Sequence, residues 1–118
     1  MARLLIKTEG LAQQALELRL GVNRVGRDPD SDFFINHTTV STHHCELELS
    51  NDGVILRDCH STNGTFVNGT PVTEAWLVPG QALKLGDVEL VVENTDVNIA
   101  IPQFERPTQL APPPAVLS

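Results

Sequence analysis

Ser61-Thr62-Asn63-Gly64-Thr65-Phe66-Val67-Asn68-Gly69 sets two Asn-Gly pairs around a short apolar run. Asn and Gly tolerate positive φ better than other residues. Each pair therefore predicts a sharp turn, and the Thr-Phe-Val between them predicts a strand. The first turn also gathers hydroxyl and amide groups from Ser61, Thr62, Asn63 and Thr65. A turn of that composition is either a plain hairpin corner of type I′ or an anion-binding loop held at one geometry. The two are compatible, because a binding loop also needs a turn. The second pair, Asn68-Gly69, reads as hairpin chemistry alone.

Working outward, short runs with period-two alternation dominate. Residues 14–20 place Leu16, Leu18 and Leu20 on one face and Ala15, Glu17 and Arg19 on the other. Cys45-Glu46-Leu47-Glu48-Leu49 repeats the scheme and breaks at Asn51-Asp52-Gly53. Val54-Ile55-Leu56-Arg57-Asp58 follows at once, so the pair predicts a hairpin. Leu4-Leu5-Ile6, Gly21 to Val25, Ala82 to Leu85 and Val88 to Glu93 are further strand-like runs. The nearest approach to helical periodicity is Glu9 to Arg19, where Gln13-Gln14-Ala15 suits a helix, but the Leu-x-Leu-x-Leu beyond it favours strand. Many short strands separated by Gly- and Asn-rich turns predict an antiparallel sandwich or barrel.

Composition bounds the function. The 118 residues suffice for one domain with a modest core. That core must come from Leu, Val, Ile and four Phe, because there is no Tyr and one Trp. The net charge of −7 argues against nucleic acid as the partner, since phosphate backbones demand a basic footprint. Any phosphate-binding role must rest on local positive charge. Cys45 and Cys59 are too few for a disulfide framework and have no Cys-x-x-Cys spacing, so they read as small apolar residues in a reducing cytoplasm. Met1-Ala2-Arg3 runs straight into a strand and lacks the apolar stretch of a signal peptide or membrane span. Beyond Glu93 the composition shifts. Residues 94–118 hold five of the eight prolines and no alternation, which predicts a domain over 1–93 and a Pro-rich disordered tail or linker over 94–118.

Gly26-Arg27, Ser41-Thr42-His43-His44 (a Ser-x-x-His) and Asp58-x-x-Ser61-x-Asn63-Gly64-Thr65 stand in that order. In order and separation they resemble the forkhead-associated (FHA) domain, over about residues 3 to 93. The resemblance implies an all-β, antiparallel two-sheet β-sandwich of about 11 short strands. It also implies a non-enzymatic module that binds phosphothreonine in a partner protein, with a Ser/Thr kinase upstream. By resemblance, Arg27 holds the phosphate and the Ser41 hydroxyl bonds it. Thr62 contacts the phosphate or the threonine methyl, Asn63 fixes the ligand backbone, and Thr42 lies in the same binding loop. Gly26, His44, Gly64, Asn68 and Gly69 support the loops. Thr39 stands where some members carry a basic residue that reads a side chain three past the phosphothreonine. A neutral Thr39 implies a neutral or apolar preference there.

Other readings compete with these. Taken alone, Arg27 is a surface arginine paired with Asp28, Asp30 or Asp32. A Ser41–His44 catalytic pair lacks any nucleophile elbow. Asp28-Pro29-Asp30-Ser31-Asp32 imitates a calcium loop but has Phe33 at the glycine position and Thr39 at the glutamate position. His37, His43, His44 and His60 match no zinc spacing. No cofactor, metal, nucleic acid or membrane is expected. The rival function is a phosphate-independent scaffold domain that uses the same loops. Thr108, the one threonine beyond residue 100, is a candidate for self-binding once phosphorylated.

Overall fold

A computed structural model describes residues 2–11 and 15–95. Eleven strands follow one another: β1 (Arg3–Ile6), β2 (Ala15–Glu17), β3 (Gly21–Gly26), β4 (Phe33–Phe34), β5 (Cys45–Ser50), β6 (Gly53–Asp58), β7 (Thr65–Val67), β8 (Thr70–Pro71), β9 (Glu74–Leu77), β10 (Ala82–Leu85) and β11 (Val88–Asn94). One sheet runs β2-β1-β11-β10-β7-β8 and the other β4-β3-β5-β6-β9. Among the described residues there is no helix, and none is long and apolar enough to cross a membrane. The Gln13-Gln14 pair and the proline-rich segment with Thr108 lie outside the described residues.

Alternation builds the core. Leu4 and Ile6, Cys45, Leu47 and Leu49, Val54 and Leu56, Leu83 and Leu85, and Val88, Leu90 and Val92 all point between the sheets and are buried. Expected strand positions recur as β1, β3, β5, β6, β7, β10 and β11. The β5–β6 hairpin closes across Ser50↔Gly53, with Gly53 at φ 121°. Strands β4, β8 and β9 carry no readable signal: two have only two residues and β9 reads Glu-Ala-Trp-Leu. The β3–β4 pair is parallel within an otherwise antiparallel arrangement.

The run at 14–20 departs from its pattern. Leu16 and Leu18 are buried, but Leu20 is 63% exposed. The cause is Asn23, fully buried, whose amide donates to the carbonyls of Arg19, Gly21 and Leu47 and accepts from Arg19 N–H. A buried amide must find such partners. Asn23 gathers the chain into a corner at Arg19–Gly21, Gly21 takes φ 93°, and Leu20 is turned outward.

Candidate functional site

The loops at one end of the sandwich converge through backbone contacts. Arg27 N–H donates to Ser41 C=O (2.9 Å), Asp28 N–H to Thr42 C=O (3.1 Å) and His44 N–H to Val25 C=O (3.0 Å). These bonds lace the end of β3 to the start of β5. Gly26 is required there: a Cβ on it would sit 2.1 Å from the Thr42 carbonyl oxygen. The approach, rather than the turn, demands glycine, because Gly26 has an ordinary φ.

His44 is buried and joins two loops. Its Nδ1 accepts from Ser41 N–H at 3.1 Å, so the neutral ring carries its proton on Nε2, which donates to Gly64 C=O at 3.0 Å. Burial lowers its pKa below the usual histidine value, against the Gly64 bond and the nearby Asp58 charge, which raise it. The ring therefore acts as a neutral strut. It does not touch the Ser41 hydroxyl.

Asp58 organises the next loop, a role not read from the sequence. Its carboxylate accepts from the Ser61 hydroxyl and N–H and from the Thr65 hydroxyl (2.7 Å), and Ser61 Oγ in turn accepts Gly64 N–H at 3.1 Å. Burial raises the Asp58 pKa, but these bonds outweigh it and hold the carboxyl below its ordinary value. The Asp-x-x-Ser spacing is the available signal, since short polar side chains close such local rings. Gly64 takes φ 89° while Asn63 does not enter the left-handed region, so this corner is not the type I′ turn. At Asn68-Gly69 both residues do, at 49° and 84°, and the turn is type I′.

The two loops meet through Ser41 and Asn63. Ser41 Oγ accepts Thr62 N–H at 2.9 Å, and Asn63 Nδ2 donates to Thr39 C=O at 2.8 Å. A shallow groove of about 220 Å³ results, lined by Arg27, Thr38, Thr39, Val40, Ser41, Thr42, Thr62 and Asn63. A larger hollow of about 460 Å³ lies elsewhere, on the outer face of the six-stranded sheet beside Phe66 and Val91, and has no such convergence of polar groups. Thr39 is committed inward. Its hydroxyl donates to His37 Nδ1 (2.9 Å) and accepts Asp87 N–H (2.8 Å), and Gly86 packs so close that a Cβ would meet the Thr39 carbonyl oxygen at 2.3 Å.

Arg27 is exposed, and among the described residues it forms no ion pair. The one bond of its side chain among the described residues is Nη1 to Thr38 C=O at 3.3 Å. Two of the neighbouring acids are engaged elsewhere. Asp32 takes Arg19 Nη2 (2.9 Å) and Arg24 N–H (2.8 Å), while Asp28 takes Asp30 N–H (3.0 Å) and faces His43 Nε2 at 3.8 Å. The surface-pair reading of Arg27 does not hold. A planar cation is left facing a groove of hydroxyls and an amide.

The family model of the FHA domain matches residues 23–86, which carry all three converging loops. The chain belongs to the FHA family. The FHA domain-containing protein FhaA of Mycobacterium tuberculosis is 41% identical over 76 residues, covering 64% of this chain and 14% of that protein. The glycogen accumulation regulator GarA of Mycobacterium tuberculosis is 38% identical over 90 residues, 76% of this chain and 56% of GarA. The FHA chain thus spans about half the length of GarA and a small part of FhaA. A structure solved in a structural and functional study of phosphothreonine-dependent FHA domain interactions superimposes with a TM-score of 0.74. It has 34% identity over 81% of this chain and 98% of that one.

Proposed function

We propose that this FHA domain binds phosphothreonine peptides and serves protein–protein interaction downstream of a Ser/Thr kinase. The observation that carries this is Arg27, an unpaired guanidinium at the rim of a groove whose other donors come from two more loops. A phosphothreonine brings about −1.5 to −2 charges and three acceptor oxygens. Arg27 supplies a charged fork. Ser41 Oγ accepts from Thr62, so its own hydroxyl hydrogen is available to the phosphate. The Thr62 hydroxyl offers a further donor. Asn63 spends one amide hydrogen on Thr39 and keeps the other, and its Oδ1, for ligand backbone. Thr42 lines the same groove.

Charge-assisted bonds contribute about 1.5–3 kcal/mol each. A few of them, set against the losses of association, give an affinity around micromolar, or about −8 kcal/mol. That suits reversible control by a kinase. Preference for threonine over serine rests on one methyl, about 0.8 kcal/mol by transfer, plus the ordering that it imposes on the bound backbone.

The reading is one of binding without catalysis. Both His44 ring nitrogens are engaged by backbone, so no base faces the Ser41 hydroxyl. A cytoplasmic setting accords with the free thiols of Cys45 and Cys59. The domain is taken as 1–93 with 94–118 as tail, and Thr108 is a candidate self-ligand if phosphorylated, whose tether would supply around millimolar effective concentration. Calorimetry with a phosphothreonine peptide tests the central claim. Arg27→Ala should abolish binding with an unchanged circular dichroism spectrum, and Arg27→Lys should restore little. Equal binding of the unphosphorylated peptide would instead establish the phosphate-independent scaffold.

A further inference from the structure

Strand β9 is the longest edge strand among the described residues. The other edges are β2 with three residues, β4 with two, and β8 with two, of which one is Pro71. Proline and lysine are common guards of an open edge, and β9 has neither. Its single charge, Glu74, is already held by Arg57 Nε at 3.1 Å, while Arg57 Nη1 holds Glu48 at 2.8 Å.

Two apolar side chains stand together on the outer face beside this edge, next to the ion pairs of Arg57 with Glu48 and Glu74. Trp76 is 55% exposed and pairs in register with Ile55. Their neighbours along the strands, Leu77, Val54 and Leu56, point into the core, so Trp76 and Ile55 share the outer face. Val78, 53% exposed, follows two residues after Trp76. A tryptophan beside an unpaired edge suits a strand added from another chain, whose alternate side chains it would cover.

Geometry joins this edge to the groove. Thr73, which precedes β9, accepts Asp58 N–H at 2.9 Å, and Asp58 holds the loop that carries Thr62 and Asn63. The four residue-to-residue steps from Asp58 to Thr62 span at most about 14 Å. A ligand seated in the groove therefore needs roughly four to eight residues to reach the β9 edge.

We propose that β9 is a second contact for the same phosphothreonine-bearing chain: an extended segment with alternating apolar residues pairs with Glu74–Leu77 and packs on Trp76 and Ile55. This rests on the phosphothreonine reading of the groove. Two weak contacts on one tether give tighter binding than either alone. The groove would supply the phosphate switch, and the edge would supply the choice among phosphorylated partners.

The test displays a fixed phosphothreonine core with randomised ten-residue extensions on either side and selects against the full chain. Enrichment of β-branched and aromatic residues at every second position, at one fixed spacing from the core, is expected. A selected long peptide should bind about tenfold tighter than its core and shift the emission of the single tryptophan to the blue, while the core alone does not. Trp76→Ser should erase the gain and leave the affinity for the core unchanged. No enrichment, or a gain that survives Trp76→Ser, would overturn the proposal. So would an emission shift produced by concentrating the free protein, which would assign the edge to a second copy. Loss of core binding itself would refute the phosphothreonine reading instead, so the two failures are distinguishable.

Discussion

Two Asn-Gly pairs stand five residues apart and do different work. At Asn68-Gly69 both residues take positive φ and the turn closes β7 on β8, with Asn68 Oδ1 accepting Ala82 N–H from the neighbouring strand. A Cβ on Gly69 would meet nothing within 4 Å. At Asn63-Gly64 only the glycine is left-handed. Asn63 reaches across to Thr39, Gly64 C=O accepts from both His44 Nε2 and Gly86 N–H, and a Cβ on Gly64 would lie 3.2 Å from the Phe66 ring. The same dipeptide is thus a local corner in one place and the crossing point of three loops in the other. Turn chemistry sets the bend, and the surroundings set what the bend holds.

The largest expected effect falls on the strut that makes the first pair special. His44→Ala strands the Ser41 N–H and the Gly64 C=O and opens a cavity, for a loss of about 2–4 kcal/mol in urea unfolding. Phosphopeptide affinity should fall with it. A variant with wild-type stability would mean that the two loops hold together without the ring, and the comparison would lose its basis.

Next come the glycines. Gly64→Val puts a β-branched residue at φ 89° against Phe66. It should cost about 2–3 kcal/mol and abolish binding. Gly69→Val meets strain without a neighbour and should cost about 1–2 kcal/mol, with calorimetric affinity unchanged. Equal binding losses from the two would show that the corners are equivalent.

Smaller effects should separate the asparagines. Asn63→Ala and Asn68→Ala each remove a hydrogen bond worth about 1 kcal/mol of stability. Only Asn63→Ala should weaken the phosphopeptide, by tenfold or more. A binding loss from Asn68→Ala would extend the functional loop beyond the groove.

The smallest effect is pH dependence. His44 has a lowered pKa when folded and about 6.5 when unfolded. Between those values the unfolded chain binds the extra proton, so stability rises with pH through the window. It is complete above about 6.5 and declines as pH falls below it. The melting temperature should drop by a few degrees between neutral and mildly acidic buffer, and His44→Asn should flatten that slope. An unaltered slope in the variant would show that His44 is not its source.

Much of the fold was legible because its causes are local. Alternation in Cys45–Leu49, Val54–Asp58 and Val88–Glu93 places strands and their inner faces wherever neighbours in sequence are neighbours on a face. Glycine and asparagine mark corners because φ is a property of single residues. The Gly-Arg, Ser-x-x-His and Asn-Gly elements were readable only as a spaced set that resembles a family. That likeness drew Arg27, Ser41, Thr62 and Asn63 together, but by itself it gave no distances.

Tertiary structure decided the rest, for reasons that act across the chain. Leu20 keeps its place in an alternating run yet faces solvent, because Asn23 collects carbonyls from positions as far apart as Arg19 and Leu47. Gly86 looks like an ordinary turn glycine, but the reason it must be glycine is Thr39, forty-seven positions away. Arg27 forms no ion pair among the described residues, while Asp32 holds the Arg19 guanidinium and the Arg24 N–H instead. The open edge at β9 follows from the order of strands in a sheet, and four residues of modest β character cannot announce that. Sequence determined where this chain bends and which faces it buries, since those depend on single residues and their immediate neighbours. Which polar groups are left unpaired is a matter of long-range competition for partners, and only the folded arrangement settles it.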